Sequence, residues 1–502
     1  MPPFNFGEIK IAVDGDTPQA RPLPETPFRV LLLGDFTGSG PRKPLPSRTP
    51  VQVDRDNFDE VLAAFHPELK LRLGDEELAT LKFSELDDFH PDRLLERVDM
   101  FRKLRDLRAR LTNPATFAET AAEFGLGGGA TPRGAAPVAT PQPSSLALGN
   151  LLDDMIEQTE ARAQTRTPAE SDLQKFVRRV TEPHIVSAAD PRQSEILTLI
   201  DRALGAQMRA LLRVPEFQAL EAAWRALFLL VRRIDTDEML KLYLVDLSKD
   251  ELGADLNSSF DLRSKFTHRL LAGDAITFSD VPWALIVGNY TFVATRSDAE
   301  LLGRLAKTAH TAAAPFLAAA SPALLGCKSF SATPDASDWT VPATSDSVSA
   351  WTALRALPEA NAVGLAIPRF LLRLPYGKET DPIESFPFEE MPVDPAHEDY
   401  LWGNPAFACA LLLAQSFSES GWDLRPGQHG SLDRLPIHIY ERDGVSEVKP
   451  CAEALMTADS AERIMESGLM PLASIKSQSE VRLVRFQSIA QPLRALAGRW
   501  IR

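Results

Sequence analysis

Gly125–Ser145, GLGGGATPRGAAPVATPQPSS, divides the chain. The run holds five Gly and four Pro, one charge (Arg133) and no aromatic residue. Such a composition has little apolar surface to bury and cannot offset the entropy of ordering its backbone. It reads as a flexible linker at 125–145, with a root-mean-square span of about 25 Å and an extended reach of about 70 Å. The fold therefore has to be read as two bodies on one chain, residues 28–124 before the linker and 146–502 after it.

Bulk properties agree with several domains. At 502 residues the chain exceeds what one hydrophobic core usually serves. Its 44% hydrophobic and 25% charged residues are ordinary for a soluble globular protein. A formal charge of −15 argues against a general nucleic-acid binder, which needs a basic stripe to displace counterions from phosphate. The arginines of 102–110 fall on one amphipathic helix and read as a solvated face. Cys327, Cys409 and Cys451 have no partner at metal or redox spacing and read as structural thiols in a reducing compartment. MPPFNFGEIK carries no signal-peptide pattern, and no apolar window is long enough for a bilayer, so a cytoplasmic protein is expected.

Ahead of the first body lies an arm, residues 1–27. Ile9, Ile11 and Val13 alternate with Glu8, Lys10 and Asp14, which is a half-apolar strand pattern. Pro18, Pro22, Pro24 and Pro27 follow at once, so no hairpin partner adjoins it. Such a strand pairs with a distant part of its own chain or with another molecule. The first body then reads as strand Arg29–Leu33, helix Asn57–Phe65, strands Leu69–Leu73 and Leu81–Phe83, and a long amphipathic helix Asp92–Leu111.

The second body opens with a helix at Leu148–Glu157. Two further helices carry Leu197, Ile200, Leu204, Met208 and Leu211, then Phe217, Leu220, Trp224, Leu227, Phe228 and Val231 at offsets of mostly three and four. Strands are expected at Leu240–Leu247, Trp283–Val287 and Val363–Ile367. Ser297 and Glu300 have capping-box spacing, and Asn404-Pro405 opens a helix that is apolar nearly all round. Asp443-Gly444 reads as a hairpin turn between Ile437–Tyr440 and Val445–Val448. The tail Val481–Phe486 is strand-like but slips phase.

Most catalytic constellations are rejected. Gly34-Asp35-Phe36-Thr37-Gly38-Ser39-Gly40 follows a strand, but Pro41 stands where a phosphate loop needs its Lys, so a turn is the expected reading. His397-Glu398 and His429 read as solvated loop residues. Asp87-Asp88, Asp153-Asp154 and Glu389-Glu390 read as helix starts or solvated faces. No catalytic, cofactor or metal residue is assigned.

The residues of the second body carry a resemblance. Pro215-Glu216-Phe217-Gln218-Ala219-Leu220-Glu221-Ala222-Ala223-Trp224-Arg225, Leu285–Tyr290, Ala314–Pro322, Pro368–Gly377, Tyr400–Asn404, Leu435–His438 and Gly468–Leu472 occur in order. Together they resemble the large sheath subunit of bacterial type VI secretion systems (TssC/VipB-like). In the first body, Leu33–Gly38, Val53–Val61 and Phe83–Phe89 with Pro91 resemble the small sheath subunit (TssB/VipA-like).

The resemblance implies a mixed α/β (α+β), multi-domain, phage-tail-sheath-like protomer with an extended N-terminal arm. It further implies two subdomains in 146–502 and no enzymatic activity. It implies a helical homopolymer around an inner tube protein (Hcp-like), seated on baseplate components, with contraction driven by a metastable lattice. A non-contractile adaptor or baseplate component is the alternative, and an enzyme or nucleotide-binding protein a more distant one.

By the same resemblance, strands are exchanged between protomers, with Ile9, Ile11 and Val13 donated and a receiving sheet near Val481, Leu483 and Phe486. Leu151, Leu152 and Ile156 correspond to a segment offered to a AAA+ unfoldase (ClpV-like), here internal behind the linker. The small-subunit part stops near Phe124, short of its usual length. The linker then ties small and large parts one to one, at roughly millimolar effective concentration.

Overall fold

A computed structural model describes residues 4–7, 22–73, 76–124, 191–258, 261–272, 281–340, 345–391 and 395–500. The linker, the helix expected at Leu148–Glu157, the donor strand with Ile9, Ile11 and Val13, and Leu151, Leu152 and Ile156 lie outside them.

The strands, in chain order, are β1 (Phe28–Gly34), β2 (Val51–Val53), β3 (Glu68–Leu73), β4 (Glu76–Lys82), β5 (Leu240–Asp246), β6 (Leu285–Phe292), β7 (Phe316–Ala320), β8 (Val363–Ile367), β9 (Phe370–Leu371), β10 (Trp402–Gly403), β11 (Ser431–Leu432), β12 (His438–Arg442), β13 (Val445–Lys449), β14 (Met470–Ser474) and β15 (Val481–Leu483). Nine of them form one sheet in the order β11-β15-β14-β8-β7-β6-β1-β5-β2. From β14 to β5 every pairing is parallel; β2, β15 and β11 join antiparallel at the margins. The fold is mixed α/β, as expected, with helices on both faces of a largely parallel sheet. The physical cause is visible in the runs VLLL and VGLAI, which are apolar on both faces, as strands covered on both sides must be.

β1 lies between β5 and β6, pairing Phe28–Gly34 with Leu240–Asp246 and Val30–Leu33 with Leu285–Gly288. The regions on either side of 125–145 thus share one sheet. Phe28, Val30 and Leu32 face one core and Leu31 and Leu33 the other. On the first face lie α1 (Phe58–Phe65), α2 (Pro91–Arg97), α3 (Asp99–Thr112), α4 (Pro114–Glu123), α5 (Pro191–Leu212), α6 (Pro215–Arg233) and α11 (Pro405–Ser420). The other is covered by α7 (Lys249–Asn257), α8 (Phe266–Ala272), α9 (Arg296–Ala312), α10 (Ser345–Arg355) and α12 (Ala458–Glu466).

Local expectations are met with shifts that have plain causes. Asn404 caps α11 by accepting from the Ala406 amide, and the helix is buried along nearly its whole length. The helix expected over Asp92–Leu111 is two, parted at Val98, which takes extended backbone and ends one helix while capping the next. Thr295, not Ser297, caps α9, accepting from the Asp298 amide. The arginines of α3 pair with acids: Arg102 with Asp99, Arg105 with Asp106, Arg108 with Asp201 and Arg110 with Glu123, so they form no free basic stripe. All three cysteines are buried and free.

Candidate functional site

Strand exchange needs an open ladder, which only a sheet edge offers. β15 is not one. It pairs with β14 on one side and β11 on the other, with Val481 and Leu483 buried between them. Phe486 lies past the strand end and is buried as well. The outer strands of the main sheet, β11 and β2, are two and three residues long, which is how proteins blunt such margins.

The hairpin β12–β13 differs. Its five residue pairs run from His438↔Lys449 to Arg442↔Val445, and neither strand pairs with a third strand among the described residues. Asp443 and Gly444 both take positive φ, 52° and 76°, the geometry that lets a two-residue turn follow strand twist. Ile439 and Val448 stand opposite each other and are 59% and 39% exposed; Val445 is 62% exposed. A lone two-stranded hairpin is marginal in water and gains from a third strand.

The root of this hairpin is fixed. Tyr400 and His438 share a 2.8 Å hydrogen bond between the phenol oxygen and Nδ1. Burial raises the Tyr400 pKa and lowers that of His438, so the bond joins a protonated phenol to a neutral imidazole. Lys449 Nζ lies 2.8 Å from His397 Nδ1 and over the rings of Tyr400 and Trp402. An ammonium only donates, so Nδ1 accepts and the His397 proton resides on Nε2, 3.0 Å from Glu453. Glu453 also accepts from the Arg369 amide and guanidinium. Burial alone would raise its pKa; the bonds from His397 and Arg369 outweigh that and hold it at about 2.

Donor atoms of His397, Glu398 and Glu453 all lie within 4.8 Å of one another. Arg369 pairs with both carboxylates and Lys449 with the imidazole. A cation there would face two positive charges already seated, so the cluster is an ion network. Glu398 is exposed, as the sequence suggested, whereas His397 is drawn inward against Glu453. The missed signal was Arg369 and Lys449, distant in sequence and brought together by the bridge between Phe370 and Ala452.

A second buried network joins α6 to the segment 368–390. Glu221, fully buried, accepts from Arg225 Nε at 2.6 Å and Arg373 Nε at 2.8 Å. Arg373 also donates twice to Glu390, at 2.7 and 3.0 Å, and Glu390 accepts from the Tyr376 amide. Burial opposes ionisation of Glu221, but Arg373 and Arg225 prevail and lower its pKa. Glu390 is therefore an internal counter-ion and not a solvated face. Asp88 is likewise buried, accepting from the Ser84 and Glu85 amides and pairing with Arg97.

The loop Gly34–Gly40 is a turn, as expected. The Phe36 amide and Thr37 hydroxyl both donate to Asp246, and the Gly38 amide donates to Asp35. Donors that would cradle a phosphate are already taken by carboxylates. Trp224 of α6 donates its indole N–H to the Phe36 carbonyl at 3.0 Å.

The profile of the VipB family, described as EvpB/VC_A0108, tail sheath N-terminal domain, matches residues 194–490. The chain belongs to the VipB tail-sheath family. Residues 7–124 match a second profile, described as type VI secretion system, VipA, VC_A0107 or Hcp2. One polypeptide thus joins a VipA-like region to a VipB-family region. The chain is similar to type VI secretion system sheath protein TssC1 of Pseudomonas aeruginosa, 33% identical over 305 residues, which is 59% of this chain and 61% of TssC1. It is also similar to sheath protein TssB1 of the same organism, 28% identical over 117 residues, 22% of this chain and 68% of TssB1. The match therefore spans less than two thirds of TssC1. Trp224 and Glu221 lie on the helix whose sequence carries the resemblance, and both are buried. No helix of the described residues is long and apolar enough to cross a membrane.

Proposed function

We propose that the chain is the protomer of a contractile helical sheath in a type VI secretion, phage-tail-like injection machine. Its role is structural, and its main partner is another copy of itself. An inner tube protein of the Hcp kind, baseplate components and a ClpV-like unfoldase are the remaining partners that family membership suggests. Leu151, Leu152 and Ile156 are the segment proposed for the unfoldase. The compartment proposed is the bacterial cytoplasm.

The observation that carries this reading is the hairpin β12–β13, a five-pair ladder that joins no larger sheet among the described residues and shows an exposed apolar pair. The arm strand with Ile9, Ile11 and Val13 has the complementary need, an apolar face without a neighbour in sequence. Pairing the arm of one protomer with the hairpin of the next satisfies both through ladder hydrogen bonds. This moves the proposed receiving sheet from Val481–Phe486, held on both sides within the protomer, to residues 438–449.

Electron microscopy of the purified protein is expected to show hollow helical tubules. Replacing Ile9, Ile11 and Val13 together by Asp should leave a folded protomer that no longer polymerises. Unchanged tubules from that variant would overturn the exchange, and a strictly monomeric wild type with and without tube protein would overturn the sheath reading.

A further inference from the structure

Just ahead of the arm strand, Phe4-Asn5-Phe6-Gly7 lies along α9 and meets one stripe of that helix residue by residue. The Arg296 guanidinium stands 4.7 Å from the Phe4 ring centre. Glu300 accepts from the Asn5 amide at 3.2 Å. Lys307 Nζ donates to the Gly7 carbonyl at 2.6 Å. Between them, the Phe6 ring lies on Gly303, where an added Cβ would come within 2.1 Å of Phe6 Cδ1. Positions 296, 300, 303 and 307 follow the four-and-three spacing of a single helix face. An Asn5 side chain that accepts from the Gly7 amide at 3.1 Å closes the segment on itself.

Glycine is a poor choice inside a helix, with maximal backbone entropy and no side chain to pack. At 303 it is buried within α9, and the aromatic ring occupies the space its missing side chain leaves. Four contacts of different kinds, an aromatic–cation stack, a carboxylate acceptor, a ring against bare backbone and an ammonium donor, make this a built site for one short segment.

We propose that this groove is the anchor of the exchange arm: it holds the chain's own Phe4–Gly7, so that the strand beginning at Glu8 leaves from a fixed point. The other end of the arm is fixed too, since Trp422 donates to the Thr26 carbonyl at 2.7 Å and the Phe28 amide to Met239. The length of chain between the two fixed ends, Gly7 and Pro22, limits its reach out and back to about 25 Å. That limits the neighbours it can pair with and reduces the freedom lost on pairing, which favours association by preorganisation. The role in donation rests on the strand exchange proposed above; the anchor itself does not.

The test uses Gly303→Ala and Phe6→Ala in the full chain. Alanine at 303 is the better helix former and expels the ring, so α9 and the thermal melt of the protomer should be retained. Amide exchange at Asn5 and Gly7 should become about tenfold faster or more in either variant, and tubule yield should fall in both. The double variant should be no worse than Phe6→Ala alone. Slow exchange at Asn5 and Gly7 persisting in Gly303→Ala would overturn the anchor. Fast exchange with wild-type tubules would overturn its role in donation. The Asp-substituted arm variant separates the two ideas. It should keep Asn5 protected while losing tubules; if it polymerises, strand exchange fails while the anchor stands.

Discussion

Trp224 donates its indole N–H to the carbonyl oxygen of Phe36 across 3.0 Å, with the two rings edge to face at 5.3 Å. The bond joins the VipB-family helix to the first loop of the VipA-like region. Phe58 and Phe65 close on the same indole at 6.0 and 5.8 Å, so one buried side chain ties the loop after β1, α1 and α6 together. Trp224→Phe should leave the Phe36 carbonyl unpaired and lower stability by about 1–3 kcal/mol. Trp224→Ala, which also opens a cavity, should cost about 3–5 kcal/mol. Urea unfolding followed by circular dichroism measures both, and equal losses in the two variants would contradict this account.

The network around Glu221 predicts an asymmetry between breaking and replacing. Arg373→Met leaves Glu390 without its main counter-ion in a buried site and should destabilise by about 3–5 kcal/mol. Exchanging Glu221, Arg373 and Glu390 together for apolar residues of similar volume should cost less than Arg373→Met alone. Denaturant midpoints for the single and triple variants decide this. A triple variant worse than the single would show that the ions contribute more than the packing they displace.

Acid should weaken the protein in two stages. His268 is buried against Thr308, and burial lowers its pKa to about 4. Its unfolded form takes up a proton first, so its contribution is present above about pH 6.5 and fades as pH falls towards 4. Glu251, held at about 2 mainly by the bond from Arg48, and Glu453 contribute above their unfolded value near pH 4.3 and lose that contribution towards pH 2. The slope is at most about 1.4 kcal/mol per pH unit for each group. Urea midpoints from pH 7 to 2.5 should show both stages; His268→Gln should flatten the upper one and Glu453→Gln the lower.

How far the sequence could be read follows from how local each signal is. β1, β8, α11 and the hairpin turn at Asp443-Gly444 were legible because their signals lie within a few residues: apolar runs, an Asn-Pro start, an Asp-Gly turn. The position of β1 was not. Its run says only that both faces are buried, and nothing in it tells that β5 and β6, more than two hundred residues on, are its neighbours. The ion networks were hidden for the same reason, since Glu390 beside Glu389 reads as surface until Arg373 is brought to it. The anchor left a faint trace, two phenylalanines ahead of the arm's strand and a glycine inside α9. Neither is interpretable before the two are seen to touch.

The hairpin face can be tested without disturbing its ladder. Ile439→Lys with Val448→Glu replaces an opposed apolar pair by an opposed ion pair, which two-stranded ribbons accommodate. Both positions are exposed, so protomer stability should change by no more than about 0.5 kcal/mol. Polymer should be lost, as read by sedimentation and negative-stain images. Normal tubules would mean that the apolar pair faces solvent in the assembly and that pairing occurs elsewhere.

A protease site placed within 125–145 tests whether the chain needs its covalent tie once folded. The seven residues of β1 are buried, paired with β5 along their whole length and with β6 over four positions. Phe28, Val30, Leu31, Leu32 and Leu33 each contribute about 1.5–3 kcal/mol by burial. Trp224 and the α3–α5 ion pair of Arg108 with Asp201 add contacts outside the sheet. Pulling the VipA-like region away would remove β1 and part β5 from the rest of the sheet. After cleavage the two fragments should therefore elute together from a sizing column at the position of the intact chain, separating only in denaturant. Fragments that part in native buffer would mean that β1 is held between β5 and β6 by the tie and not by its own burial.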